Sequence, residues 1–178
     1  MRKFYSFISY NRKVIIPAPS SGNASLQPSF SLRNRLAWLV VAVLVSGFIL
    51  TRYARLLTGV VTPGGAYREY LICVGQIVFQ GLMAALISRN RRTLWDYLGN
   101  MMTISLAGSL LLVPALLAHS ILRPGLAAHS ILTPTLAAGY FLLVAGGMLL
   151  EHIRRTKLLG LGWGLSANGS ATAWYYYC

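Results

Sequence analysis

The chain has 178 residues, 56% of them hydrophobic and 11% charged, and its 16 lysines and arginines outnumber 3 acids for a formal net charge of +13. A soluble domain carries about 25% charged residues, so this chain has too few charges to clothe a water-facing surface. With a mean hydropathy of +0.59, it reads as an all-α, polytopic integral membrane protein built on a four-helix transmembrane bundle.

In a soluble protein such a basic excess would point to nucleic acid. Here the basic residues cluster just outside apolar runs, so orientation in a membrane explains them and no nucleic-acid partner is expected. The two cysteines, Cys73 and Cys178, form no CxxC and no even framework. They support neither a disulfide scaffold nor a redox pair, which excludes small membrane oxidoreductases that depend on a CxxC. The first long apolar stretch begins near Leu36 and lacks a small-residue cleavage site, so no cleavable signal peptide is expected.

Residues 1–16 form a basic, aromatic arm in which Phe4, Tyr5, Phe7, Ile8 and Tyr10 alternate with Arg2, Lys3, Arg12 and Lys13. As a helix, the arm would place Phe4, Phe7 and Ile8 on one face and could lie among anionic headgroups. A frayed terminus is the plain alternative. Residues 17–35 read as a linker rich in Pro, Ser, Gly and Asn, with Ser31 as the N-cap of the first span. The linker carries an acceptor-like Asn23-Ala24-Ser25, which the expected orientation leaves idle.

The bundle is expected over residues 36–157, with spans near 36–60, 70–87, 94–117 and 134–150. The apolar run Leu36–Leu50 is short for a hydrocarbon core of about 30 Å. Its helix should therefore continue through Arg52 and Arg55, whose side chains would snorkel, and stop at Thr62-Pro63-Gly64-Gly65. Pro134 suits the first turn of the fourth span, which is expected to end at Glu151. Residues 158–178 read as a Gly-rich and aromatic interfacial tail. A short fifth span is the alternative there, and only that span would expose a second acceptor-like match, Asn168-Gly169-Ser170.

Basic residues divide unevenly between the two sides. Six precede the first span, three lie in the 89–92 turn and three follow Leu150, which makes twelve. The other side holds Arg52, Arg55, Arg68 and Arg123. Twelve against four places both termini in the cytoplasm, with a cell (plasma) membrane as the expected location.

Residues 114–143 contain three decapeptides in phase at Pro114, Pro124 and Pro134, and Ala-His-Ser-Ile-Leu occurs twice. Ten residues is not a whole number of turns at about 3.6 per turn, so His119 and His129 cannot share a helix face. They lack further ligands, and no metal is expected. The stronger reading is a duplication that lengthens an external loop, with the prolines interrupting any helix. Deletion of residues 120–129 is expected to leave insertion intact.

The residues that could carry chemistry lie on the hairpin of the second and third spans. Glu69, Cys73, Gln76 and Gln80 repeat at spacings of four, three and four, which puts them on one helix face. Asp96, Asn100 and Thr103 repeat at the same kind of spacing on the next span. The two stripes are expected to face each other, with Glu69 beside Arg68 at one surface and Asp96 beside Arg92 at the other. The plain reading is a polar interhelical seam, since amides and hydroxyls commonly bond across membrane helices. The sharper reading is a hydrophilic path, which would want an ionisable group at mid-depth.

Glu151 should pair with Arg154 and Arg155 at helical spacing, and His152 should sit at the interface. No catalytic constellation or phosphate cradle is present in the sequence, so neither an enzyme nor a cofactor is expected. The expected role is structural, accessory or in assembly, with the lipid bilayer and a membrane-protein partner or a second copy as partners. The alternative is a small oligomeric transporter or channel that uses the polar faces of spans two and three.

Overall fold

A computed structural model describes residues 2–16, 30–62, 64–87, 90–122, 134–159 and 161. It contains α1 (Arg2–Ile15), α2 (Leu32–Ala54), a short 3-10 turn (Arg55–Leu57), α3 (Arg68–Ile87), α4 (Arg91–Leu122) and α5 (Pro134–Leu158). Among the described residues there is no β-strand, only an isolated bridge between Thr58 and Val61. Four helices (α2 with its 3-10 turn, α3, α4 and α5) are long and apolar enough to cross a membrane. The protein is an all-α four-helix bundle, with α1 packed on its basic end.

A long apolar helix occupies each of the four expected spans, and the bounds of all four differ from those expected. The helix expected to reach residue 60 stops at Leu57. Gly59 adopts φ +105°, a conformation open to glycine without strain. The carbonyl of Leu57 then accepts from the amides of Val60 and Val61, which closes the helix before the expected Thr62-Pro63-Gly64-Gly65 stop. At its other end α2 takes in Leu32–Arg35 from the expected linker. Ser31 is the N-cap residue, but it caps through its backbone carbonyl rather than its side chain.

The largest correction concerns α4. It runs through Pro114 to Leu122, 32 residues in all, so residues 118–122, with His119, are helix and not the expected loop. Pro114 cannot donate to the Leu110 carbonyl. One residue on from that gap the hydroxyl of Tyr140 on α5 donates to the Leu111 carbonyl at 2.6 Å, which ties α5 to α4 beside the proline. The second repeat unit with His129, both acceptor-like asparagines and most of the expected tail lie outside the described residues. α5 also continues eight residues past Leu150, because Glu151 pairs with Arg154 and Arg155 along the helix at 2.6 and 2.7 Å.

α2 and α4 form the central pair, with α3 against both and α5 against α4 and the 3-10 turn. The apolar core has two parts. At the basic end Leu39, Ala42, Ala84, Tyr97, Leu98, Met101 and Met102 pack together, with Leu159 and Leu161 closing over them. At the opposite end Ile49, Tyr53, Leu57, Leu112 and Ala137 do the same. Small residues set the closest approaches: the Tyr70 ring of α3 lies on Gly47, and Met148 of α5 lies on Gly108. A Cβ at either glycine would come within 3.0 Å of the facing side chain, so α3 and α5 sit nearer than larger residues would permit.

Candidate functional site: a charge cluster at the basic end of the bundle

The expected seam on the hairpin is divided in the structure. Asp96, Asn100 and Thr103 are all buried, but their partners lie on α1, α2 and α5 rather than on α3. Asp96 is only 3% exposed. Its Oδ1 accepts from Arg35 Nη2 at 2.8 Å and its Oδ2 accepts from Lys13 Nζ at 2.9 Å. The expected surface pair with Arg92 is therefore replaced by a buried bridge from α4 to α2 and α1. The reason is geometric. Arg92 lies one turn nearer the solvent, in the first turn of α4, whereas Arg35 and Lys13 arrive from helices packed directly over Asp96.

Arg35 is as buried as its partner, with side chains 5% and 4% exposed. A charge so placed needs partners for its remaining donors. Asn11 supplies one, accepting from Arg35 Nη1 at 3.4 Å. The Asn11 amide donates in turn to the carbonyls of Phe7 and Asn34 at 3.0 and 3.2 Å. Arg35 Nε has no partner among the described residues, so the cluster is close to saturated but not complete.

The same cluster fastens the C-terminal end of α1. Arg155 of α5 donates through Nη1 to the Val14 carbonyl at 2.9 Å and to Asn100 Oδ1 at 3.4 Å. An arginine on the last carbonyls of a helix satisfies an orphan acceptor and complements the dipole there. Val14 is fully buried and lies against Gly99, while Phe7 packs on Trp38 with ring centroids 5.9 Å apart. The arm is thus a helix, and its second half is part of the bundle.

Deeper along the α2–α4 contact, Trp38 Nε1 donates to Thr103 Oγ1 at 2.9 Å, while Thr103 donates to the Gly99 carbonyl at 2.7 Å. Ser109 Oγ donates to Ser46 Oγ at 3.2 Å near the middle of the bundle. Farther on, Tyr53 donates to the Ala137 carbonyl at 2.8 Å. Trp38→Phe keeps the ring packing and removes the donor. It should cost about 1 kcal/mol, the scale of a hydrogen bond between membrane helices, read as a shift in detergent unfolding; no shift would mean that Thr103 finds an equal partner elsewhere.

On α3, Glu69, Cys73 and Gln80 are buried and Gln76 is half-buried. Glu69 pairs with Arg68 at 2.9 Å as expected, but it is sheltered rather than surface-exposed. Gln80 does reach α4, accepting through Oε1 from the Tyr97 hydroxyl at 2.5 Å. The Tyr97 ring also packs on His152, with ring centroids 5.8 Å apart. His152 therefore packs against the bundle instead of lying free at the interface. Gln80 Nε2 and His152 Nε2 are both buried without a hydrogen-bond partner among the described residues.

The sequence singles out Asp96, Asn100 and Thr103 but not the residues that surround them: Asn11, Lys13, Val14, Arg35, Trp38, Tyr97 and Arg155. The sequence carried no signal for Arg35, since its burial is set by packing between helices far apart along the chain. Among the described residues no group of three histidines, cysteines or acids converges.

No family model, curated protein or solved structure matches the chain.

Proposed function

We propose that the protein is a structural or accessory subunit of a membrane assembly, with its basic end and both termini on the cytoplasmic side of the cell membrane. The observation that carries this reading is the internal use of the seam. Asp96, Asn100, Thr103, Ser46 and Ser109 each bond to groups of the same bundle, so the polar chemistry holds helices together. The outer helices support it too. In the apolar windows of α5 and α3 only 6% and 17% of residues are buried inside the chain, against 44% in each of α2 and α4. The orientation rests on the twelve-to-four division of basic residues.

The test is purification from native membranes in mild detergent, with mass and composition read together. A constant partner at fixed stoichiometry is expected, and it should be lost when bulky residues replace Gly139 and Gly146, which have open space before them on α5. A lone monomer that moves solute in proteoliposomes would overturn the proposal.

One observation favours the second reading, a small transporter or channel. Gln80 and His152 both contact Tyr97, and Gln80 Nε2 and His152 Nε2 have unused hydrogen-bonding capacity, which a polar solute could occupy. Gln80→Leu removes the amide. Under the accessory reading it leaves liposome leak at background in both variant and parent, measured with a trapped dye. Leak in the parent that Gln80→Leu abolishes would favour the transporter.

A further inference from the structure

We propose that the basic end of the bundle, with α1 laid across it, is a docking surface selective for anionic lipid headgroups. The inference rests on the membrane reading alone, not on the accessory role, so a failed search for a protein partner leaves it standing.

Two observations meet at this end. The first is charge. Its two acids are already engaged, Asp96 by Lys13 and Arg35, and Glu151 by Arg154 and Arg155. Arg12, Arg33, Arg91, Arg92 and Lys157 are exposed, and none makes an ion pair among the described residues. These five come from the starts of α2 and α4, the end of α5 and the second half of α1, which the Asp96 and Arg155 contacts bring to one level. Fixed positive charge with no acid left to oppose it favours an anionic surface within a Debye length.

The second observation is how α1 is set. Phe4, Phe7, Asn11 and Val14 follow one another at helical spacings along one side of the helix. Phe7 packs on Trp38, and Asn11 and Val14 are fully buried. Phe4 continues that same line but is 71% exposed, with Tyr5 beside it at 77%. The start of α1 therefore runs past the edge of the bundle with its apolar line uncovered. At the level of helix ends, the surroundings that accept an apolar ring beside arginines are the boundary of headgroups and acyl chains. Anionic lipid matches both the rings and the charges, whereas zwitterionic lipid matches only the rings.

The experiment reconstitutes the full chain into phosphatidylcholine bilayers with a minor fraction of phosphatidylglycerol. Association of spin-labelled phosphatidylglycerol and phosphatidylcholine is then compared by electron paramagnetic resonance. Several-fold preference for the anionic label is expected, falling toward parity in R33Q/R91Q/R92Q and holding in R52Q/R55Q, which alters the opposite end. High salt should erode the preference of the unaltered protein, a readout that survives even if the triple variant inserts poorly. Equal association of both labels in the unaltered protein, equal losses in both variants, or a preference indifferent to salt would each overturn the proposal.

Discussion

Asp96→Ala should cost the bundle on the order of 3–5 kcal/mol, the loss expected when one partner of a buried ion pair is removed. The cost falls mainly through Arg35. Its side chain is 5% exposed, and its remaining partner is Asn11 Oδ1 at a long 3.4 Å. Without Asp96 a buried guanidinium keeps one weak neutral acceptor and an Nε that already lacks one. Lys13 adds little to the loss, because at 45% exposure it can return to water.

The double variant Asp96→Leu/Arg35→Met separates two explanations. If the acid matters because it compensates Arg35, removing both charges should restore most of the lost stability, since apolar replacements of a buried pair are often neutral or better. If Asp96 matters chiefly as the anchor of α1 through Lys13, the double variant should stay as weak as Asp96→Ala. Unfolding in a graded denaturing detergent measures all three proteins, and the difference from additivity is the coupling of the pair. A single-variant loss below about 1 kcal/mol, the range of an exposed pair, would mean that Arg35 reaches solvent.

What was legible in the sequence was set by the range of the signal. Four spans could be read because burial in lipid demands long apolar runs, and nothing else in the chain has that length. Their ends were less clear, since they depend on local conformations that compete closely. Gly59 stops one helix where Pro63 and Gly64 look stronger on paper, and Pro114 does not stop another, which runs on to Leu122 with Tyr140 of α5 bonded to the Leu111 carbonyl beside it. Asp96, Asn100 and Thr103 stood out as polar residues at helical spacing, but spacing within a helix names a face and not the partner of that face. Adjacency along the chain suggested α3. The partners came instead from residues 61 to 83 positions away, Arg35, Trp38 and Lys13 among them. Arg155, 55 positions from Asn100, belongs with them. Nothing in the alternation of Phe4 to Lys13 distinguished a helix resting on lipid from one docked on its own bundle.

Gly99→Ala tests that docking by the sign of its effect. In the interior of a helix free of neighbours, glycine to alanine stabilises by about 0.5–1 kcal/mol, because the unfolded chain loses freedom. At Gly99 a Cβ would stand 2.8 Å from Val14 Cγ1 and 3.2 and 3.3 Å from two more atoms of the same side chain. Valine on a helix has one strongly favoured rotamer, and Val14 is fully buried with its carbonyl held by Arg155. The side chain cannot turn aside, so the clash must move α1 itself. Overpacking of this kind costs about 1–3 kcal/mol, which outweighs the gain and leaves a net loss. Displacing α1 also pulls Lys13 from Asp96 and the Val14 carbonyl from Arg155, so trypsin should cleave at Arg12 and Lys13 faster in Gly99→Ala than in the parent. Val14→Ala in the same protein removes two of the three crowding atoms, Cγ1 and Cγ2, and keeps only Cβ. It should slow cleavage again and return part of the stability. A Gly99→Ala variant that is more stable than its parent, with cleavage unchanged, would place α1 away from α4 and turn the arm back into a surface element.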